Sequence, residues 1–251
     1  MIMENFQTLS RRKALGLVSA AAALPFLSSG AKAATSPVLV ELFTSQGCSS
    51  CPPADKLAAQ LKSMSGVHVA SLNVDYWDYL GWHDTLAKPE YTQRQMDYAR
   101  DRGDNEVYTP QMVVNGEWRA VGSDKSAVES LIETARTKPF VADLALAVDD
   151  MEVTVTIGNG PVVPEATLWL MALASRVDVK IERGENSGSS ISYSNVVRNL
   201  VPAGMWGGQA KMIKLPRKGI FTADSKSCIA VLQRGKVGPV LALTSWGDTS
   251  A

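Results

Sequence analysis

Residues 38–44, Val-Leu-Val-Glu-Leu-Phe-Thr, are apolar on both alternating faces except at Glu41, the pattern of a strand buried on two sides. Pro52 and Pro53 fit only the first turn of a helix, and Leu57, Leu61 and Met64 then recur at helical spacing before Gly66 closes the segment. Residues 67–75 alternate as a second strand, so strand, helix and strand follow one another as a right-handed βαβ unit. A helix is predicted from about Pro89 to Arg102. Between Thr109 and Gly122, Asn115-Gly116 separates two short apolar runs and calls for a two-residue type I′ hairpin. Ser123 or Asp124 then caps a helix with Val128, Leu131 and Ile132 on one face, and Lys138-Pro139 marks a junction.

From Phe140 the period changes to two. Leu144, Leu146 and Val148 alternate, Asp149-Asp150 supplies a turn, and Val153, Val155 and Ile157 alternate with Glu152, Thr154 and Thr156. Residues 166–174, 177–182, 210–215, 227–233 and 239–246 are further strand candidates separated by Gly, Pro or Asp. The expected architecture is therefore an α/β domain over residues 34–138 followed by a mostly-β, sandwich-like domain over 139–251.

The start of the chain has a different character. Ser10-Arg11-Arg12, an apolar middle and Ala31-Lys32-Ala33 have the layout of an export signal, with cleavage expected before Ala34 and a twin-arginine route favoured over general secretion. Residues 1–33 hold four of the 25 basic residues and one of the 25 acidic ones, so their removal leaves 21 against 24. That slight acidity argues against a general nucleic-acid surface. No later apolar run is long enough to span a bilayer, so stable membrane insertion is not expected. A periplasmic or secreted address makes disulfide chemistry relevant.

The candidate chemistry lies in Cys48-Ser49-Ser50-Cys51, between the first strand and the helix that follows it. A nucleophilic sulfur must be a thiolate, and a helix start favours that form through unpaired N–H groups and the positive end of the dipole. Cys48 is placed at such a start. Cys51, a turn later, is spaced to attack a mixed disulfide at Cys48 and release the partner. By itself the spacing also suits a metal clip or a structural staple.

With its strand before, helix after, adjacent Pro52 and βαβ frame, the segment resembles the thioredoxin superfamily over roughly residues 36–138. The resemblance implies that Thr109-Pro110 is a cis-proline site that shapes the substrate groove. It also implies that Glu41 is a buried acid managing the proton of Cys51. Gly47 departs from the tryptophan usual there, and an added segment precedes the proline. Read with "NVDYWDYLGW", "RGENSGSSISYSNVVRNL" and "GPVLAL", nearly the whole chain after the signal looks like a member of an uncharacterised secreted bacterial family, a domain of unknown function.

Three other features carry two readings each. Residues 75–95 concentrate Tyr76, Trp77, Tyr79, Trp82 and Tyr91, either as a wall that binds a substrate beside Cys48, with Trp77 and Trp82 foremost, or as a satellite core; His83 beside Asp84 either assists a thiolate or is incidental. Residues 183–200 either have a function, facing the thiols or binding an anion through Arg183 and Arg198, or form a polar loop that satisfies itself. Cys228 is either a buried small hydrophobe or an exchangeable thiol.

The leading expectation is a thiol–disulfide oxidoreductase acting on a protein thiol or disulfide, with Cys48 as nucleophile, Cys51 as resolving thiol, Pro110 and Glu41 in support and Thr109, Trp77 and Trp82 binding substrate. No cofactor and no metal site is called for. The alternatives are a Cu(I)-binding protein, since paired thiolates suit that soft ion, and a binding or scaffold protein with a permanent Cys48–Cys51 staple.

Overall fold

A computed structural model describes residues 36–249; the expected export signal lies outside them. The front elements are β1 (Val38–Thr44), α1 (Pro52–Lys62), β2 (Val67–Asn73), α2 (Pro89–Arg102), β3 (Gln111–Val114), β4 (Trp118–Val121) and α3 (Lys125–Arg136). β5 (Leu144–Val148), β6 (Glu152–Ile157), β7 (Ala166–Lys180), β8 (Ser190–Trp206), β9 (Lys211–Pro216), β10 (Ser227–Arg234) and β11 (Val240–Trp246) follow.

The expected pairing of a thioredoxin-like α/β domain with a separate β-sandwich is not what forms. Eight strands make one mixed sheet in the order β11-β10-β7-β8-β2-β1-β3-β4, and β5, β6 and β9 make a second sheet of three. The joint is the edge of β2, where β8 runs parallel to it with Ser71 opposite Val196 and the Ser71 hydroxyl donates to the Ser194 carbonyl at 2.7 Å. Sheet closure there is driven by β7 and β8, which are 15 and 17 residues long and pair with each other along their length. Two strand candidates, 166–174 and 177–182, are thus one element, and the polar stretch read as a loop contains the start of another.

Alternation sorts the faces of this sheet. Leu39 and Phe43 of β1, Tyr91 and Tyr98 of α2, Met171 and Leu173 of β7 and Ile229 and Val231 of β10 share one core, so a single apolar layer underlies both the front and the rear strands. On the opposite face Val38, Val40 and Leu42 pack under α1 and α3, and Leu168, Leu170, Ala172 and Leu232 pack against Val153, Val155 and Ile157 of the three-stranded sheet.

Local chemistry sets the boundaries. Asp124 caps α3 by accepting from the Ala127 N–H at 3.0 Å. Asn115 and Gly116 take positive φ values of 46° and 68°, and the Glu117 N–H bonds the Val114 carbonyl at 3.1 Å. The ladder pairs Val114 with Trp118, so three residues, rather than the two expected, connect β3 to β4. Among the described residues no helix is long and apolar enough to cross a membrane.

Candidate functional site

Cys48 and Cys51 form a disulfide with their Cα atoms 5.4 Å apart. The prolines fix where the helix begins: Pro52 and Pro53 are its first residues, Cys51 is the N-cap, and Cys48 lies in the preceding turn rather than at the helix start. Neither proline has an N–H, and the N–H groups of Ala54 and Asp55 both return to the Cys51 carbonyl, at 2.9 and 3.2 Å. The helix end therefore offers few free donors to a thiolate. The polar side chain beside Cys48 is Ser50, whose hydroxyl is 3.5 Å from the sulfur. Cys48 is 2% exposed and Cys51 is fully buried.

The walls come from three places. The Thr109–Pro110 bond is cis and Pro110 is buried, with the Trp77 indole N–H donating to the Thr109 hydroxyl at 2.8 Å. Trp82 donates to the Gln46 side-chain oxygen at 2.8 Å, and the Gln46 N–H donates to Asp84 at 2.7 Å, which pins the turn before Cys48. A Cβ at Gly47 would stand 3.0 Å from the Trp77 Cβ, so a tryptophan there would collide with the added aromatic segment. The third wall is the tip between β7 and β8. The Asn186 amide donates to the carbonyls of Gln46 and Cys48, both at 2.9 Å, and the Ser49 N–H donates to the Glu185 carboxylate at 3.3 Å. The stretch 183–200 thus faces the thiol turn, but through Asn186 and Glu185. Arg198 instead pairs with Asp224 at 3.0 Å, and Arg183 is exposed.

Asp55 is the residue that sequence reasoning missed. It follows Cys51 by one helical turn and shares its side of α1, is 2% exposed, and accepts from the Thr44 hydroxyl at 2.8 Å while its second oxygen has no partner. Burial, reinforced by the nearby Asp84 charge and only partly offset by Thr44, pushes its pKa up to about 7. Asp84 is raised by burial as well, although it accepts from Gln46, Asn73 and Leu86. The Tyr193 hydroxyl, raised by burial and by the charges of Asp55 and Asp84, also has no partner, nor does Asn73 Oδ1. A cavity of about 340 Å³ is lined by Pro52, Asp55 and Lys56 on one side and by residues 189–192 on the other. In sequence, an acid in a first helical turn reads only as a favourable surface charge.

Glu41 does not play the part the resemblance implied. Alternation turns its side chain to the Leu39 and Phe43 face, toward α2, while α1 packs against the other face. There its carboxylate is held by Arg94 at 2.6 and 3.2 Å and by the Tyr98 hydroxyl. His83 is exposed and bound to Asp78 at 2.5 Å. Cys228 is fully buried, and burial pushes its thiol up to about 12. Among the described residues no group of three or more His, Cys, Asp and Glu side chains is arranged to hold a metal ion.

No curated protein matches the chain. A crystal structure of a protein from Agrobacterium tumefaciens is similar over 85% of this chain and 95% of that one, at 30% identity and a TM-score of 0.74. HBP35 of Porphyromonas gingivalis shares the fold over 85% of this chain and 75% of that one, at 14% identity and a TM-score of 0.61. A family model described as a protein of unknown function (DUF1223) matches residues 39–233, and the chain belongs to that family.

Proposed function

We propose that this chain is an exported thiol–disulfide oxidoreductase acting on protein thiols. One observation carries the reading: a Cys48–Cys51 disulfide has a buried carboxyl one turn below its second sulfur, and that carboxyl titrates near neutral pH. A staple needs no such group, and burying an acid without a full set of partners costs stability.

In the reducing direction for the pair, a partner thiolate attacks the Cys48 sulfur. The Cys48–Cys51 bond breaks, a partner–Cys48 disulfide forms, and Cys51 leaves as a thiolate that takes the proton of Asp55. A second partner thiolate then attacks the mixed disulfide and expels the Cys48 thiolate, which is protonated from solvent. Two partner thiols become one disulfide and the pair becomes a dithiol. Run backward, the Asp55 carboxylate accepts the Cys51 proton and frees that sulfur to resolve the mixed disulfide. Pro110, Thr109 and Trp77 frame the approach to Cys48.

The near-complete burial of both sulfurs favours a second reading, a permanent staple. The equilibrium redox state of the pair across glutathione buffers separates the two. A midpoint between roughly −120 and −270 mV supports exchange, and one below about −300 mV overturns it.

A further inference from the structure

The turn that carries Cys48, itself 2% exposed, is held by an element that contributes no residue to the disulfide. Residues 182–189, the tip between β7 and β8, rest on the turn that carries Cys48 through three hydrogen bonds, two from Asn186 and one to Glu185. Beside them Gly184 packs on Trp82, so closely that a Cβ would stand 3.2 Å from the Trp82 Cβ. Apart from Asn186 and the half-buried Gly184, the tip is exposed.

Its own bonds are mostly internal. Ile181 N–H donates to the Ser189 carbonyl at 2.9 Å, Gly188 N–H to Ile181 at 2.8 Å, Ser187 N–H to Gly184 at 3.1 Å and Ser189 N–H to Asn186 at 3.1 Å. At its base, Ile181 and Ile191 are anchored in an apolar cluster with Leu86, Tyr193 and Val196. The tip can therefore swing from the thiol turn as one piece, keeping its internal bonds and its anchor. What it would leave behind is the Gln46 carbonyl and the Ser49 N–H without partners, and the Cys48 carbonyl with its bond from the Cys51 N–H at 3.2 Å alone. An acceptor and a donor without partners, with a further acceptor that has room for a second bond, lie on one short run of backbone beside the disulfide, and an extended polypeptide can supply what they need.

We propose that the tip formed by residues 182–189 is a displaceable cover, and that a protein partner reaches Cys48 by laying an extended segment on the Gln46, Cys48 and Ser49 backbone in its place. This rests on the thiol-exchange reading. Failure of that reading shows separately, as a disulfide that glutathione buffers leave closed in every variant.

The test uses the protein with Cys228 retained, because that buried thiol reports general loosening. Asn186→Ala removes two of the three contacts, and Glu185→Ala, at an exposed position, removes the third and serves if the first variant fails to fold. Reduction of the disulfide by dithiothreitol, and alkylation of Cys48 by iodoacetamide after reduction, are followed by peptide mass. In Asn186→Ala both rates are expected to rise about tenfold, and in Glu185→Ala about twofold, with Cys228 alkylation unchanged. Unchanged rates at Cys48 overturn the cover. So does a parallel rise at Cys228, which would mark lost stability rather than local opening. Reduced wild-type protein is also given hydroxyethyl disulfide and a mixed disulfide of a short extended peptide. The peptide is expected to react about tenfold faster, and equal rates overturn the polypeptide partner.

Discussion

The guanidinium of Arg94 holds both oxygens of Glu41, Nε donating to one at 2.6 Å and Nη2 to the other at 3.2 Å, with the arginine side chain 3% exposed and the carboxylate fully buried. Arg94 also donates to the Gln233 side-chain oxygen at 2.7 Å and to the Tyr98 hydroxyl at 3.0 Å. One charged pair thus joins α2 to the first strand and, through Gln233, to β10 at the rear. Burial works against the arginine's charge, but the Glu41 carboxylate more than offsets it and holds the guanidinium firmly protonated.

Removing one partner strands the other in the core. Arg94→Met is expected to lower stability by about 3–5 kcal/mol in urea denaturation, and Glu41→Gln added to it should restore a large part of the loss. A single-variant loss below about 1 kcal/mol would show that the pair does not brace α2 against β1 and β10.

Asp55 should set a pH dependence of stability. Its folded pKa, about 7, lies above the ordinary 3.8, so below pH 3.8 both folded and unfolded chains hold the proton and the carboxyl is neutral to stability. Between these values the unfolded chain ionises first, and stability falls as pH rises, until above about 7 the full penalty is present. Asp55→Asn is expected to match the wild type near pH 4 and to exceed it at pH 8 by up to about 4 kcal/mol in urea titrations. Identical pH profiles would remove Asp55 from the mechanism.

Cys228 sits at the interface of the two sheets, among Leu170, Ala230 and Leu241, with its thiol raised to about 12 by burial. At pH 8 its alkylation should therefore follow global unfolding, with a rate that rises with urea as the folded fraction falls. Rapid alkylation in native buffer would place it instead among the exchangeable thiols.

Much of the front half was legible because local signals there agree with the structure. Double proline marks the start of α1, Asn115-Gly116 the hairpin turn, and Asp124 the cap of α3. The arrangement of the rear was not legible. The period-two pattern of 144–157 identifies β5 and β6, but nothing in Ser71 announces that β2 has a neighbour in β8, since that pairing lies 125 residues away and rests on one hydroxyl and one strand edge. The polar run 190–195 alternates Ser with Ile, Tyr and Asn, and its serines suggested a loop although Ile191 and Tyr193 face a core. At the site, spacing found the two cysteines and polarity singled out the stretch 183–200, while the burial of Asp55 and the choice of Asn186 for a contact across 138 residues have no sign in one sequence.

At Gly116 the front hairpin packs directly on the β10–β11 turn of the rear. Its φ of +68° disfavours any side chain, and a Cβ there would stand 2.4 Å from the Gly238 carbonyl oxygen and 2.8 Å from Gln233 Nε2. That Gln233 nitrogen donates to the same Gly238 carbonyl and to Tyr98, both at 2.9 Å, so a methyl group at 116 would press on the bonds that orient the partner of Arg94. Gly116→Ala is expected to cost more than about 3 kcal/mol, combining left-handed backbone strain with a backbone clash. Gly207 is the control, an exposed glycine where a methyl group would meet no atom within 4 Å and φ is not positive, so alanine should change stability by less than about 0.5 kcal/mol. Equal losses at the two positions in urea denaturation would show that the hairpin and the β10–β11 turn are not locked together at Gly116.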